Sequence, residues 1–490
     1  MTKTKHTQQD STRPILSRVM SFKNYVGLGF GAIIGMGWVI YSGEWLASGG
    51  PLGAILGFII GGILLVPIGM CYAELTSAIP VSGGEIGFAY KAFGPGIAFL
   101  SAWLLAFAYT CICPFETVAL GWIFEQIIPV LRTAPLYSIG DYAVSWSSLI
   151  PGMVIAVGVT VMNYRGVKTS ARFQTFTVAL MVLCVAGFTV VALLKGDLSN
   201  LRPLFAGTGA LQHIVPVSIL SIVVGVPFWL SGFDTIPQAA EESNTELRPK
   251  HLGMAIILSI VGGFLFYAFI ILAVGLSLPW QETITLSMPT ADVFYVAFGY
   301  TWAAKLVLVA AFLGLLTSLN GFFVAATRIF FAAGRGGLLP SWFAVLHREY
   351  HTPRNAVLFV GGFALVGPFV GKASLSSIVH IGSLVFISAW VITALSAIRL
   401  RKTEPSMARP YRVRRKFILY LAAIVGSALT LLMVIPGSPE QLLWPVEYAM
   451  MAIWLLTGWV FYRSQKRRGD LSCDEQAYLI LGELHVSVSE

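Results

Sequence analysis

The sequence predicts an all-α integral membrane protein with 12 transmembrane helices, the first and sixth of them interrupted. Three observations predict it: an apolar composition, twelve windows of about 20 apolar residues, and Lys and Arg gathered in alternate loops. Over 490 residues the chain is 56% hydrophobic and 11% charged, with a mean hydropathy of +0.78. A soluble domain carries roughly 25% charged residues. The aromatic share of 13%, with 13 Trp and 17 Tyr, suits interfacial belts and packed helix crossings.

The windows lie near 24–48, 51–75, 97–128, 148–163, 172–194, 214–239, 252–278, 302–333, 355–371, 375–398, 416–435 and 444–462. The third and eighth are long enough to tilt strongly, and the fourth and ninth are short. Of the 32 Lys and Arg residues, 27 fall in both tails and alternate loops, while Arg132, Lys195, Arg202, Lys305 and Lys372 fall on the other side. This bias places both termini in the cytoplasm of a cell membrane. Topology thus accounts for the net charge of +9 without nucleic-acid binding. The basic run Arg409 to Lys416 reads as a topology anchor that also suits anionic lipid heads. The polar start through Lys23 runs into a span too long and glycine-rich for a signal-peptide core, so no cleavable signal is expected.

Span one carries Gly27, Gly29 and Gly31, then Ile34-Gly35-Met36-Gly37-Trp38. Glycines alone do not choose between close packing and an unwound segment. Span six, within Val215 to Glu242, is more explicit. Pro227 and Pro237 each remove a backbone donor, Gly232 loosens the chain between them, and Asp234 places a carboxyl at membrane depth. Such backbone survives only where protein or water satisfies it, and its freed amides and carbonyls can then hold a ligand.

The two breaks open successive five-span units, and an odd number of spans inverts the second unit relative to the first. Interruptions at corresponding places in inverted halves point to a transporter site at the midplane. The chain divides into an N-tail (1–23), a first repeat (24–194), an outer loop (195–213), a second repeat (214–398), a basic loop (399–415), two C-terminal helices (416–462) and a C-tail (463–490). The outer half of span one begins near Trp38 and turns its amides to the midplane, which suits a carboxylate. The outer half of span six ends near Trp229 to Ser231 and offers carbonyls to an ammonium group. A zwitterion fits between them, and an amine without a carboxylate would use the carbonyl end alone.

Ionisable groups at depth are few. Glu116 lies mid-depth in span three and shares one helical face with Tyr109 and Cys113. An acid there needs a proton, the cationic end of a substrate, or a freed carbonyl near Pro114. Asp234 reads either as an N-cap for Thr235 onward or as a protonation site. Glu44, Glu74, Glu241 and Glu242 lie near span ends, where solvated or ion-paired roles are expected. Neither cofactor nor metal is expected: His213 and His380 lack a partner at metal spacing. Cys71, Cys111, Cys113, Cys184 and Cys473 read as packing residues.

These residues also carry a resemblance. The chain resembles the amino acid-polyamine-organocation (APC) superfamily through Ile34-Gly35-Met36-Gly37, Tyr72-Ala73-Glu74-Leu75, Pro80 with Ser82-Gly83-Gly84, and Phe93-Gly94-Pro95 leading to Trp103. It continues through Gly232-Phe233-Asp234, Ala239-Ala240-Glu241-Glu242, and Arg328 to Gly336-Gly337-Leu338-Leu339-Pro340. The resemblance implies a five-plus-five inverted-repeat bundle with two extra helices, working by alternating access, commonly with proton coupling or exchange. It puts substrate backbone contacts at Ile34, Gly35, Met36, Gly37, Leu230, Ser231 and Gly232, and an aromatic gate at Phe228, which otherwise fills space between helices. It also lines the pocket with the span-three face of Cys113 and Glu116. Met181 stands where several proton-coupled relatives carry a lysine. Thr317 and Ser318 stand at the level of the sodium site of sodium-coupled relatives, although such hydroxyls also bond back to their own helix.

The expected function is therefore a secondary active permease for an amino acid or small amine, with Glu116 or Asp234 as the proton-coupling group. An exchanger or a sodium-coupled symporter is the alternative within that class, and a non-transporting sensor a distant one, since nothing like a signalling domain follows Arg468. No His-Glu-x-x-His, Gly-x-Ser-x-Gly or phosphate-loop pattern marks an enzyme, and no ring of acids marks a channel. Neither the substrate nor the oligomeric state is fixed by these residues.

Overall fold

The computed structural model describes residues 13–35, 37–131, 133–139, 142–206, 215–370, 375–437, 441–468 and 471–484. Helices α1 (Phe22–Ile33) and α2 (Gly37–Ile40) fall in the predicted span one, on either side of Gly35, and α3 (Ser42–Ala78) follows. The Tyr41 amide bonds the Gly37 carbonyl at 2.8 Å, so the second half continues past Ile40. It ends at Gly50, with φ of 66° and ψ of 173°, just before Pro51. The corner inside α3 falls between the predicted first and second spans, and only a residue without a Cβ takes it easily.

Helix α4 (Glu85–Phe93) crosses one end of the bundle and leads into α5 (Pro95–Ile127). The all-α expectation fails locally after α5. Strands β1 (Pro135–Ile139) and β2 (Tyr142–Ser145) form an antiparallel pair, with Tyr137 opposite Val144. Leu136, Tyr137, Ile139 and Val144 favour extended backbone, and pairing satisfies its amides in a loop too short to cross.

Helices α6 (Trp146–Arg165) and α7 (Val167–Lys195) complete the first predicted repeat. Span six breaks into α8 (Val215–Val223), α9 (Val226–Trp229) and α10 (Thr235–Gln238). Then come α11 (Lys250–Ser277), the short α12 (Trp280–Thr283) and α13 (Pro289–Phe298), α14 (Thr301–Arg335), α15 (Arg354–Val370) and α16 (Leu375–Thr403). The chain closes with α17 (Phe417–Val434), α18 (Val446–Arg468) and α19 (Cys473–Leu481).

Among the described residues, 8 helical segments are long and apolar enough to cross a membrane. They lie in α3, α5, α6, α7, α11, α14, α16 and α17. The other four predicted spans have visible reasons for falling short. Spans one and six are broken, α15 has 17 residues, and α18 ends on Arg463, Lys466, Arg467 and Arg468. Exposed apolar side chains such as Val154, Phe176, Leu183, Ile424, Leu431, Ile453 and Leu456 cover α6, α7, α17 and α18. An apolar exterior of this kind fits a bilayer.

Helices α3, α5, α11 and α14 form the packed interior around the two breaks. At the α4 end, buried ion pairs tie the helices together. Arg328 holds Glu242 at 2.6 Å, Arg335 and Arg13 hold Glu241 at 2.8 and 3.2 Å, and Arg401 and Arg409 hold Glu74. The three glutamates are thus paired, as expected, but inside the protein rather than in solvent. Burial opposes the charge on Glu241, yet Arg335 and Arg13 outweigh it and hold its carboxyl at about 2. The N-terminal segment docks here too, since the Val19 and Met20 amides bond the Glu242 carbonyl at 2.9 Å. Arg409 is folded inward, donating to the carbonyls of Leu400, Glu404 and Met407, so this member of the basic run is not a lipid-facing charge.

Candidate functional site

The two breaks touch. Gly232 has φ of 127°, and a Cβ on it would lie 2.7 Å from the Ile33 amide and 2.8 Å from the Ala32 carbonyl carbon. Only glycine lets span six approach the end of α1 this closely. On the other side, the Tyr267 hydroxyl from α11 donates to the Ile33 carbonyl at 3.1 Å, satisfying one acceptor freed at the break.

A cavity of about 30 Å³ lies beside the contact. Gly35, Gly37, Phe228 and Ser231 line it from the breaks, with Glu116 of α5 and Ser318 of α14 facing them. That is room for about one water, so a larger ligand needs side chains to move. Glu116 is 3% exposed. Its Oε1 accepts the Ser318 hydroxyl at 2.5 Å, and its Oε2 has no hydrogen-bond partner. A Cβ on Gly35 would stand 3.1 Å from Glu116 Oε1, so the carboxyl lies directly against the first break. The expected freed carbonyl near Pro114 is not what Glu116 bonds.

Aromatic rings form one wall. Trp229 sits against Gly37 so closely that any Cβ there would collide with the indole. Its ring centroid lies 4.8 Å from Tyr41, 5.3 Å from Trp45 and 5.1 Å from Phe228. Beyond this wall is a second cavity of about 270 Å³, reached by Glu44, Ser221, His380 and Ser383. Tyr41, Phe228 and Trp229 line both cavities and are the partition between them. Sequence reasoning named Phe228 for this place but missed Trp229, Tyr41 and Tyr267. Tyr41 was legible in principle, because it lies one helical turn beyond Gly37.

Other predicted residues lie apart from the small cavity. Ile34, Leu230 and Cys113 are buried without lining it, and the Cys113 thiol donates to the Tyr109 carbonyl at 3.4 Å. Gly232 packs on backbone. Met36 lies outside the described residues. The Thr317 hydroxyl bonds back to the Gly314 carbonyl at 2.8 Å, and its own carbonyl accepts the Gln174 amide at 2.9 Å. The same amide reaches the Gly27 carbonyl at 3.2 Å, stitching α7 to α1 and α14. Met181 is fully buried, and its sulfur approaches Gly314 together with the Ile34 and Gly35 carbonyls.

Asp234 stands at the N-cap position of α10 but makes no side-chain cap bond. Its own backbone is helical (φ −76°, ψ −4°), which turns the carboxyl away from the amides that follow. Instead Oδ1 accepts the Gly232 amide at 2.9 Å and Oδ2 the Trp390 indole at 3.1 Å.

Comparison with known proteins adds the following. The profile of a family described as Amino acid permease matches residues 20–461. The chain is 29% identical over 452 residues to the Branched-chain amino acid permease BcaP of Bacillus subtilis (strain 168), covering 90% of this chain and 91% of that protein. It is 27% identical over 471 residues to the Methylthioribose transporter of the same organism, covering 93% and 95%. It is 28% identical over 411 residues to Cationic amino acid transporter 3, mitochondrial, of Arabidopsis thaliana, covering 80% and 63%. By name these relatives are permeases and transporters, not enzymes.

Proposed function

The chain belongs to the amino acid permease family of the APC superfamily, and from that premise we propose that it is a secondary active transporter for an amino acid or small amine. In this reading it has twelve spans in a five-plus-five inverted repeat plus two, works by alternating access in a cell membrane, and keeps both termini in the cytoplasm. The observation that carries it is the pair of cavities divided by Tyr41, Phe228 and Trp229. A ligand chamber at two helix breaks, parted from a wider vestibule by aromatic rings, is what a gated binding site requires. The opposite end, closed by the Arg328–Glu242 and Arg335–Glu241 pairs, is the gate that opens inward.

The substrate carboxylate takes the amides at Gly37 and Trp38, and its ammonium takes the carbonyls at the end of α9. Glu116 Oε2 is the free acceptor for a further positive charge or for the coupling proton. Gly35, Ser231 and Phe228 contact the ligand directly; Ile34, Leu230, Gly232 and Cys113 shape the chamber from behind. Proton coupling is read from the buried acids Glu116 and Asp234; Thr317 and Ser318 donate to the Gly314 carbonyl and to Glu116 but keep oxygen lone pairs, so a sodium-coupled symporter is the second reading. The names of the relatives span branched-chain and cationic amino acids and methylthioribose, so the site's chemistry decides the substrate class here.

The test is thermal stabilisation of the purified chain by a panel of amino acids, diamines and amino alcohols, because a ligand bound only by the folded state raises its stability. Stabilisation by at least one class, lost in Gly35→Val, is the expected result. A panel with no stabilising member speaks against the reading.

A further inference from the structure

A second polar cluster lies toward the closed end and meets the site above only through Asp234, whose carboxyl accepts the Gly232 amide. It joins α4 to the inner half of span six. The Gln238 amide donates to Glu85 Oε2, and also reaches the Tyr109 hydroxyl and the Asp234 carbonyl, each at 3.3 Å. Tyr109 donates to the same carbonyl at 3.1 Å, and Trp390 holds the Asp234 carboxyl. Glu85 is 1% exposed, and Asp234, Tyr72, Tyr109 and Gln238 are fully buried. Glu85 Oε1, the Tyr72 hydroxyl and Gln238 Oε1 make no close hydrogen bond, and the Tyr72 hydroxyl lies beside Glu85 and Thr393.

The buried cations of the neighbouring elements are engaged elsewhere. On α14, Arg328 holds Glu242 and Arg335 holds Glu241, which also takes Arg13 from the N-terminal segment. Glu74 of α3 takes Arg401 of α16 and Arg409. Arg399 of α16 lies over the Phe93 ring at 5.0 Å, and Lys91 on α4 itself reaches Glu404 at 3.8 Å. Helix α19 brings Cys473, Asp474, Glu475 and Tyr478 toward the far end of α4, where the Tyr90 hydroxyl bonds the Cys473 carbonyl. Facing Glu85 there remain Tyr72, Tyr109, Gln238 and Asp234. Among the described residues neither acid forms an ion pair. The Gln238 amide links the Glu85 carboxyl to the Asp234 main chain, and an acid closed off from water without a cation, with a second acid in the same cluster, does not readily stay ionised.

We propose that Glu85 holds a proton in this cluster while Asp234, whose carboxyl takes the Gly232 amide and the Trp390 indole, stays the ionised acid beside it, which makes Glu85 a proton-binding site on the side of the chamber read as cytoplasmic. With the proton on Glu85, its hydroxyl turns to the neighbouring Tyr72 oxygen, while Gln238 bridges the second oxygen to the Tyr109 hydroxyl and the Asp234 carbonyl. Opening of the inner end parts α4 from α10, admits water to Glu85, and passes the proton to that water. The place of this proton in a transport cycle rests on the proton-coupled reading above; its presence in the cluster does not.

The experiment is infrared difference spectroscopy of the purified full chain, following the carbonyl stretch of a protonated carboxyl from mildly acid to alkaline pH. The wild type is expected to show such a band at neutral pH, and Glu85→Gln to lose the Glu85 component of it, with Glu116→Gln identifying any part that belongs to Glu116. Asp234→Asn is expected to move its titration to lower pH, because a like charge has gone. Glu85→Asp, which keeps an acid, is the control for folding and should retain a shifted band. An unchanged band in well-folded Glu85→Gln, or no such band in the wild type at neutral pH, would overturn the proposal. In liposomes, Glu85→Gln should keep substrate exchange while accumulation under a proton gradient falls at least tenfold. If the wild type ignores the proton gradient, the coupling reading fails, while the infrared band still decides whether Glu85 holds the proton.

Discussion

Ser318 gives its hydroxyl to one oxygen of Glu116 at 2.5 Å and leaves the other without a hydrogen-bond partner at the cavity wall. The bond joins α5 to α14 across the first break, so the carboxyl is held in place with one acceptor free. If that acceptor meets a cationic group, Glu116→Gln removes a charge-assisted bond of roughly 1.5–3 kcal/mol. Affinity for a basic substrate should then fall about tenfold or more, with little change for a neutral one. Titration of both ligand classes against the variant checks this, and equal losses would refute it.

Gly37 and Trp229 are in closer contact than any side chain at position 37 would allow. Gly37→Ala should displace the indole and lower ligand affinity strongly while leaving expression and oligomer profile unchanged. Gly35→Val should do the same through Glu116. Normal binding in both variants would remove the site from this part of span one.

Trp229 is also the centre of the partition. In Trp229→Ala, a cysteine placed at Ser231 should react faster with a membrane-impermeant thiol reagent added from the vestibule side than it does with the indole present. The native cysteines are replaced beforehand so that the rate reports one position. An unchanged rate would mean that Trp229 is not the barrier.

The closed end makes a stability prediction. Arg328 and Glu242 are both wholly buried, and removing one charge strands the other. Arg328→Met alone should cost about 3–5 kcal/mol, and the double variant with Glu242→Gln should recover part of the loss. Thermal unfolding of the three proteins decides.

Glu241 sets an acid limit. Its carboxyl is held at about 2 in the folded chain, against 4.5 for a free glutamate. A depressed value of this kind contributes stability that is fully present above 4.5 and is lost as pH falls through the window down to about 2. Glu241→Gln should therefore be less stable than the wild type at neutral pH, and the gap should close as the medium is acidified through that window. A gap of constant size would contradict the assignment.

Much of this was legible in the sequence because membrane depth makes local chemistry conspicuous. Pro227, Gly232, Asp234 and Pro237 cannot make an ordinary span, so the break in span six could be placed to within a few residues. The corner between spans one and two was marked by Gly50-Pro51. What the sequence could not supply were the pairings across the bundle. Ser318 lies 202 positions from Glu116, and its hydroxyl reads there as an ion-site or back-bonding group. Trp229 was hidden because the feature that receives it is a missing side chain on Gly37. Glu85, following Gly83-Gly84, looks like an ordinary loop acid until α4 buries it against Gln238. The β1–β2 hairpin was passed over because apolar windows dominate a reading of this chain.

The central claim is that the chain moves a small amine or amino acid through the chamber at the two breaks. Uptake into liposomes loaded with a pH gradient, alkaline inside, tests it most directly across a panel of labelled amino acids and amines. The account predicts accumulation of at least one member above its external concentration, abolished by Gly35→Val and by collapsing the gradient. No accumulation or exchange of any member by well-folded protein would contradict it.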